Sequence, residues 1–410
     1  MAKLSSSNGL EKRPKLRFPE FKEPYRSARL GEIAVLINRT DPKSAAPIMM
    51  LSAGNGFIMQ SDKYSRYNAG QSLKKYILLK KGELAYNHGA SKAKQFGCCY
   101  ELLEDEALIP YVYHCFKVDK NEYTPYVAFL LNNPKIDRQL KRLVSSSARM
   151  DGLLNISFKD YMSINLSLPP YAEQKQVSDF IKRIDERIVI QEQLISSLKK
   201  YKRGVIQHIF RSHAKTDEKS KWTYVRLGDI FKKVSRRNSN GEIKNVITNS
   251  AEYGLIPQRD FFDKDIAVDG NTTNYYVIEY GDFVYNPRKS RTAPYGPCNR
   301  YTLRDKGIIS PLYTCLVLQS DINPSYLAWY FKSDAWYRYI YDNGSQGVRH
   351  DRVSMTDDLL MSIPVILPNK KRQQKIADML DMIESKLHMV QQEYEFLLQI
   401  KDGCMQQLFI

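Results

Sequence analysis

The chain has 410 residues, and its apolar runs are too short and too often interrupted by charges to cross a membrane. Lys and Arg number 62 against 45 Asp and Glu, and the net charge of +17 favours a polyanionic partner such as nucleic acid. Six cysteines without CxxC or zinc-ligand spacing, and no apolar signal region, predict a reduced cytoplasmic protein without a metal site.

The chain consists of two copies of one unit, because matching segments recur at an offset of 197 to 200 residues. The matching pairs are "RLGEI" at 29–33 with "RLGDI" at 226–230, "YILLKKGELAYN" at 76–87 with "YYVIEYGDFVYN" at 275–286, and "LPPYAEQKQVSDFIKRIDERI" at 168–188 with "LPNKKRQQKIADMLDMIESKL" at 367–387. Small shifts of the offset are typical of short loop insertions.

Each copy has the same predicted order of elements. The Leu-Gly-acid turn signal comes first, followed by a β-rich stretch in which Gly281 and Asp282 mark a turn. A short helix, "PSYLAWYFKSDAWYRYI" in the second copy, precedes a Gly/Ser-containing loop, a strand that ends at Leu-Pro, and a long helix. The predicted fold class is therefore α+β (mixed α/β), with two tandem domains and two long helices.

Both long helices carry apolar residues at alternating steps of four and three, the pattern of a coiled-coil seam. The seam residues are Val177, Ile181, Ile184, Ile188, Ile195 and Leu198 in the first helix and Ile376, Leu380, Ile383, Leu387, Val390 and Leu397 in the second. Lys202 and Lys401 interrupt the two seams at equivalent positions. We expect the helices to pair, antiparallel and with pseudo-two-fold symmetry, as a rod; alternatively, each packs separately on its own domain.

The segments "LPPYAEQKQVSDFIKRIDERI", "RLGEI", "RLGDI" and "LRFPEF" together resemble the specificity (S) subunits, HsdS, of type I restriction–modification systems, over nearly the whole chain. The second copy departs from the motif, since Arg372 stands where Glu173 stands in the first. The resemblance implies an N-terminal extension (1–24), target-recognition domains at 25–168 and 222–367, long spacer helices at 169–210 and 368–410, and a linker at 211–221.

The resemblance also implies a function. Each target-recognition domain of such a subunit reads one half of a split DNA sequence, and the helices space the domains and bind two modification (methyltransferase) subunits. Restriction (motor-nuclease) subunits complete the complex. The S subunit has no catalytic residues and binds no cofactor; S-adenosylmethionine is used by the modification subunits, and ATP and Mg by the restriction subunits.

Candidate DNA contacts are polar and basic residues in loops, because Arg and Asn can bind base edges and Lys and Ser often bind phosphates. For the first domain they are Asn87, His88, Ser91, Lys92, Lys94 and Arg149; for the second they are Asn286, Arg288, Lys289, Ser290, Arg291, Gln346, Arg349, His350 and Arg352. The loops differ more between the copies than the strands do, which predicts two different half-sites and an asymmetric bipartite target.

Two other functional classes remain open from the sequence. A coiled-coil scaffold that binds only proteins would explain the helices, and a stand-alone methyltransferase or nuclease would explain a basic protein. "PPY" at 169–171 is similar to the loop of amino-methyltransferases, but Leu168 stands where that loop needs a polar residue. No Walker A motif and no carboxylate–lysine nuclease cluster is recognisable.

Overall fold

A computed structural model describes residues 13–63, 70–92, 94–144, 154–212, 222–261, 272–344 and 351–410. The chain divides into two compact units, Met1–Gln191 with Glu393–Ile410, and Glu192–Gln392. We call residues 25–168 head 1 and residues 222–367 head 2. Among the described residues, no helix is long and apolar enough to cross a membrane.

Head 1 and its long helix contain ten strands and six α-helices within the described residues. The strands are β1 (Arg26–Arg29), β2 (Ala34–Leu36), β3 (Met49–Ser52), β4 (Gly56–Met59), β5 (Ile77–Lys80), β6 (Leu84–Asn87), β7 (Cys98–Glu101), β8 (Glu106–Ile109), β9 (His114–Val118) and β10 (Asn165–Leu168). The helices are α1 (Leu30–Ile33), α2 (Gln60–Lys63), α3 (Thr124–Leu131), α4 (Pro134–Leu143), α5 (Phe158–Met162) and α6 (Tyr171–Ser212), with a 3₁₀ helix at Gly70–Lys75.

Head 2 and its long helix repeat this series within the described residues. The strands are β11 (Trp222–Arg226), β12 (Phe231–Val234), β13 (Ile247–Ser250), β14 (Gly254–Pro257), β15 (Tyr276–Ile278), β16 (Phe283–Tyr285), β17 (Cys298–Arg300), β18 (Gly307–Ile309), β19 (Thr314–Leu318) and β20 (Pro364–Pro368). The helices are α7 (Leu227–Ile230), α8 (Gln258–Phe261), α9 (Pro324–Phe331), α10 (Tyr337–Asn343), α11 (Asp357–Met361) and α12 (Lys370–Gln407).

The two heads have the same sheet topology. Each contains a four-stranded antiparallel sheet, in the order β2-β9-β6-β7 in head 1 and β12-β19-β16-β17 in head 2. Each also contains three antiparallel strand pairs: β1–β10, β3–β4 and β5–β8 in head 1, and β11–β20, β13–β14 and β15–β18 in head 2. The internal repeat and the mixed fold class predicted from the sequence are confirmed.

Alternation along the central strand places the two faces of each sheet in separate cores. Leu84 and Tyr86 of β6 pack into the core shared with the helices, whereas Ala85 packs into the core on the other face. In head 2, Phe283 and Tyr285 of β16 pack into the core shared with the helices, and Val284 packs into the core on the other face of the sheet. The central strand therefore has little freedom in register, and the loop that follows it leaves the sheet at a fixed point.

The single short helix predicted at 324–340 is wrong: the structure has two helices, α9 and α10. The break lies at Ser333, whose hydroxyl donates to the Tyr330 carbonyl and accepts from the Ala335 N–H at 3.2 Å. A side chain that bonds to nearby main-chain groups offers the backbone an alternative to the helix ladder. In head 1, the equivalent break between α3 and α4 has Asn133 as the N-cap and Pro134 at the first helical position.

The glutamine of the Leu-Pro-Pro-x-x-Glu-Gln motif fixes each long helix to its head. The side chain of Gln174 donates to the Pro169 carbonyl at 2.9 Å and accepts from the Tyr123 N–H at 2.9 Å. Gln373 makes the same two bonds, to the Pro368 carbonyl at 2.8 Å and from the Asn323 N–H at 3.1 Å. Because both glutamines are buried, the first turn of each helix is held rigidly against the turn that precedes α3 or α9.

The long helices pair within each unit. In the first unit, ion pairs join Asp185 to Lys401 at 2.6 Å and Arg187 to Glu393 at 2.8 Å, so α6 and α12 run antiparallel there. In the second unit, Lys202 binds Glu384 at 2.5 Å. All twelve predicted seam residues are buried or half-buried, and the prediction of paired rather than separate helices is confirmed within each unit.

The ends of the seam also belong to the head cores. Val177 and Ile181 lie in the core of head 1 with Phe409 near the C-terminus of the chain, and Ile376 and Leu380 lie in the core of head 2. The α6 helix ends at Ser212, inside the stretch 211–221 that the sequence assigned to a linker. Each helix is therefore joined to its own head by packing as well as by covalent connection.

Candidate nucleic-acid interface

The loop after β6 and the loop after β16 have one common frame. The Tyr86 hydroxyl donates to the Phe96 carbonyl at 2.6 Å, and the Tyr285 hydroxyl donates to the Tyr295 carbonyl at 2.8 Å. Each bond crosses the loop between equivalent positions. The loops of the two heads therefore close on their sheets in the same way, although most of their residues differ.

Two predicted DNA contacts in each loop bind the loop's own backbone. Asn87 and Asn286 accept from main-chain N–H groups two residues later, both at 2.9 Å. Ser91 and Ser290 accept from the N–H groups of residues 94 and 293 at 3.1 and 3.0 Å. These four side chains shape the turns of the loop, and their contact with DNA remains a prediction.

A glycine completes the frame at the far end of each loop. Gly97 and Gly296 both have φ of 82°, a left-handed conformation that favours glycine. A Cβ atom at either position would overlap the main-chain oxygen of Asn87 or Asn286 across the loop. The loop ends therefore approach too closely for any other residue type.

The tips of the loops differ and carry positive charge. Lys92 of head 1 and Arg291 of head 2 occupy equivalent positions and are exposed, and neither forms a hydrogen bond or ion pair with the described part of the chain. Arg288 is also exposed, and its Nε lies 3.9 Å from Oδ2 of Asp351. Lys94 is different, because its Nζ donates to the Asn132 carbonyl at 2.9 Å and so ties the loop to the end of α3.

The structure brings the two predicted loops of each head together. The N–H of Leu154 donates to the His88 carbonyl at 2.9 Å, and the N–H of Val353 donates to the Pro287 carbonyl at the same distance. In head 2, the Lys289 N–H also donates to the Asp351 carbonyl at 2.8 Å. Arg352 is half-buried on this second segment; Arg149, Gln346, Arg349 and His350 lie outside the described residues.

Head 1 has a histidine pair where head 2 has none. His88 and His114 stack with ring centroids 5.2 Å apart. The Nδ1 of His88 lies 2.7 Å from the Leu154 carbonyl and its Nε2 lies 2.9 Å from the Val112 carbonyl. The pKa of His114 is lowered by burial and, secondarily, by His88. This pair fixes the loop to two neighbouring segments.

Sequence reasoning missed Asp351, which lies among the basic residues of the second segment in head 2. Its carboxylate is within 4.0 Å of Arg288 and Arg352, and its carbonyl accepts from Lys289. An acid between basic residues orients their side chains and limits their mutual repulsion. The single acid in "RHDR" at 349–352 is the signal that could have identified it.

The fold and these surfaces define a protein with two similar heads, each of which presents a basic loop surface suited to nucleic acid. Residues 219–398 match the family model described as the type I restriction modification DNA specificity domain. The match covers head 2 and most of α12. Head 1 lies outside the match and has the same sheet topology and loop frame as head 2.

Solved structures share the fold over nearly the full length. One is a chain from a study of complex assembly and conformational transition of the type I R-M system, with 16% identity, a TM-score of 0.55 and coverage of 95% of this chain and 98% of that one. Another is the type I restriction–modification S subunit from M. genitalium, with 14% identity, a TM-score of 0.55 and coverage of 97% and 99%. The family-model match over residues 219–398 agrees with the resemblance to type I specificity (S) subunits found in the sequence, and the solved structures show the same fold.

Proposed function

We propose that this chain is the DNA-reading subunit of a type I restriction–modification complex and that each head reads one half of a split site. The observation that carries the proposal is the division of each loop into a common frame and a different exposed tip. A frame shared by Tyr86 and Tyr285 supports two reading surfaces of one geometry. Different tips, with Lys92 in one and Arg291 in the other, support two different half-sites.

The tips suit base and phosphate contacts. Arg291 can donate two parallel hydrogen bonds to a guanine edge, whereas Lys92 carries a point charge that binds phosphate or a single base acceptor. The net charge of +17 adds an attraction that does not depend on sequence. We expect the logarithm of the affinity for duplex DNA to fall linearly with the logarithm of the salt concentration.

The chain itself would do no chemistry, and two modification subunits would dock on the long helices. Exposed apolar side chains on those helices support docking: Ile190 on α6 is 60% exposed, and Met382 and Phe396 on α12 are 70% and 60% exposed. The modification subunits would use S-adenosylmethionine to methylate adenine in the site. Restriction subunits would use ATP and Mg to complete the assembly.

A single-molecule methylome tests the proposal. Cells that carry this chain with its modification subunit are compared with cells that lack only this chain. We expect N6-methyladenine in one asymmetric split motif with a constant gap between its halves. A palindromic motif would contradict the prediction of two different half-sites, and unchanged methylation in cells where the complex assembles would favour the protein scaffold.

The constant gap depends on the paired helices. Changing the seam residues Leu198 and Leu397 to Asp would place a carboxylate in each seam, and we expect the preference for one gap length to be lost. An exposed position on the same helix, Leu194, provides the control, since Leu194→Asp leaves the seam intact. A preserved gap in the seam variant would mean that helix pairing does not set the spacing.

A further inference from the structure

Each head carries a two-stranded ribbon that the loop candidates do not include. The ribbon of head 1 consists of β3 and β4, and the ribbon of head 2 consists of β13 and β14. The tips are residues 53–55 and 251–253. Each is followed by a glycine with positive φ at the first residue of the second strand, Gly56 at 70° and Gly254 at 75°. An antiparallel ribbon of this kind fits into the major groove of duplex DNA.

A residue at one equivalent position on β7 and β17 fixes each ribbon near its tip. In head 1, the Tyr100 hydroxyl donates to the Ala53 carbonyl at 2.8 Å. In head 2, the Asn299 amide donates to the Ser250 carbonyl at 3.0 Å. Two different side chains at this position therefore connect the strand that follows the basic loop to neighbouring carbonyls near the ribbon tip.

Head 2 adds a buried network that joins the ribbon directly to the base of the loop. The Asn286 amide donates to the Asn249 carbonyl at 3.1 Å, while its oxygen holds the N–H of Arg288 at 2.9 Å. The Asn299 amide donates to the Asn249 side-chain oxygen at 2.7 Å. All three asparagines are buried, so the network holds the ribbon and the loop in one arrangement.

These bonds place the ribbon tip and the loop at the same end of the head. Asn249 and Ser250 are the last two residues before the tip, and their partners lie where β16 leads into the loop and β17 follows it. The turn at the tip is itself defined, because the Ser250 hydroxyl accepts from the N–H groups of Glu252 and Tyr253, both at 3.2 Å. The side chains of Glu252 and Tyr253 are exposed.

We propose that the ribbon tip of each head is a second DNA-reading element, which enters the major groove beside the basic loop. The reading side chains are Glu252 and Tyr253 in head 2 and Asn55 in head 1. Glu can accept from the amino group of cytosine, and Asn can bind the edge of adenine. This inference rests on the proposed function, since it assigns to the ribbons a share of each half-site.

The test uses the full chain and a library of duplexes of randomised sequence, from which bound molecules are recovered and sequenced. For Glu252→Gln and Tyr253→Ala, we expect discrimination at one or more positions of one half-site to fall roughly 5- to 100-fold, with the other half unchanged. Asn55→Ala should affect only the opposite half. Tyr280→Ala is the matched control, because Tyr280 is 63% exposed against 62% for Tyr253 and lies at the opposite end of β16.

Arg291→Ala separates failure of this inference from failure of the proposed function. If Arg291→Ala alters the selected half-site while Glu252→Gln, Tyr253→Ala and Asn55→Ala leave both halves unchanged, the ribbons do not read DNA. If the unaltered chain selects no motif at all, the proposed function fails and the ribbon inference fails with it. Equal effects of Tyr280→Ala and Tyr253→Ala would also overturn the ribbon inference, since an exposed tyrosine far from the basic loop would then matter as much as one at the ribbon tip.

Discussion

The two long helices begin in the same way but are secured by opposite charges. In head 1, the buried carboxylate of Glu173 accepts two hydrogen bonds from Arg17, both at 2.8 Å, and one from the Tyr25 hydroxyl at 2.9 Å. In head 2, Arg372 stands at the equivalent position, with its guanidinium 5.1 Å from the ring centroid of Trp222. Trp222 replaces Tyr25 at the start of the first strand.

Comparison of the two heads shows which contacts at the start of the long helix are the same in both copies and which differ. The neighbouring glutamines, Gln174 and Gln373, keep identical main-chain partners because those partners exist in any sequence. The contacts of the preceding residue differ, because Glu173 binds the charged Arg17 whereas Arg372 lies over the neutral ring of Trp222. In head 1 the partner of Glu173 is Arg17, which lies in the N-terminal extension.

The largest expected effect comes from removing the carboxylate in head 1. Glu173→Ala leaves the largely buried guanidinium of Arg17 without a counter-charge, and we expect a loss of about 3–5 kcal/mol in the free energy of unfolding. The pKa of Arg17 is raised, chiefly by its hydrogen bonds to Glu173, which agrees with a pair that favours the charged forms. Urea denaturation followed by circular dichroism measures the loss.

Arg372→Ala in head 2 is the comparison for that change. It removes a half-buried side chain whose guanidinium lies over the Trp222 ring, so we expect a loss of only about 1 kcal/mol. The double variant Arg17→Met with Glu173→Leu should recover most of the stability lost in Glu173→Ala. Equal losses from Glu173→Ala and Arg372→Ala would contradict the asymmetry between the heads.

The next effect concerns the loop tips. Arg291→Ala should weaken binding to the matching half-site by about 1–3 kcal/mol if the guanidinium binds a base. Lys92→Ala should weaken binding to the other half. Competition between duplexes that differ in one half-site measures both changes, and Arg291→Lys distinguishes base from phosphate contact. If the lysine variant retains both affinity and sequence preference, Arg291 binds phosphate.

The repeat and the helix seam could be predicted from the sequence because each leaves a periodic signal. The seam residues from Val177 to Leu198, and those from Ile376 to Leu397, need only correct spacing to be buried. The division of the loops into frame and tip could not be predicted. Asn87 and Lys92 are both polar, and only the backbone conformation determines that Asn87 bonds to the main chain of the loop and Lys92 is exposed.

The contacts of the ribbons could not be predicted from the sequence for a related reason. Leu51 and Asn249 occupy equivalent positions in β3 and β13, yet one packs in an apolar core and the other forms a polar network. Nothing local to either strand indicates which partners approach from β7 or β17. Such contacts depend on which strands become neighbours in the folded head, and the pattern of residues within one strand does not predict them.

The seam lysines give a smaller effect that compares the two units. Lys202 binds Glu384 and Lys401 binds Asp185, so each unit has one ion pair between equivalent positions. Lys202→Glu brings two carboxylates together, and because all four side chains are partly exposed we expect a loss of about 1 kcal/mol or less. The double variant Lys202→Glu with Glu384→Lys should restore stability. Failure to restore it would mean that Lys202 acts through its contact with Trp329.

The smallest effect is a dependence of stability on pH that His114 of head 1 should introduce. Burial lowers the pKa of His114 from its ordinary value of 6.5, so the unfolded chain binds a proton at pH values where the folded head does not. Stability therefore falls as the pH drops through 6.5 towards the lower pKa of the folded state, and levels off below it. The groups that face His114 are His88, Tyr86 and Tyr161.

His114→Thr places in head 1 the residue that head 2 has at the equivalent position, Thr314. We expect the denaturation midpoint of this variant to change less on acidification than that of the unaltered chain, when both are measured above and below pH 6.5. Thr314→His in head 2 is the reverse test and should introduce such a dependence if burial is its cause. Parallel pH profiles for the unaltered chain and His114→Thr would mean that His114 does not cause the dependence.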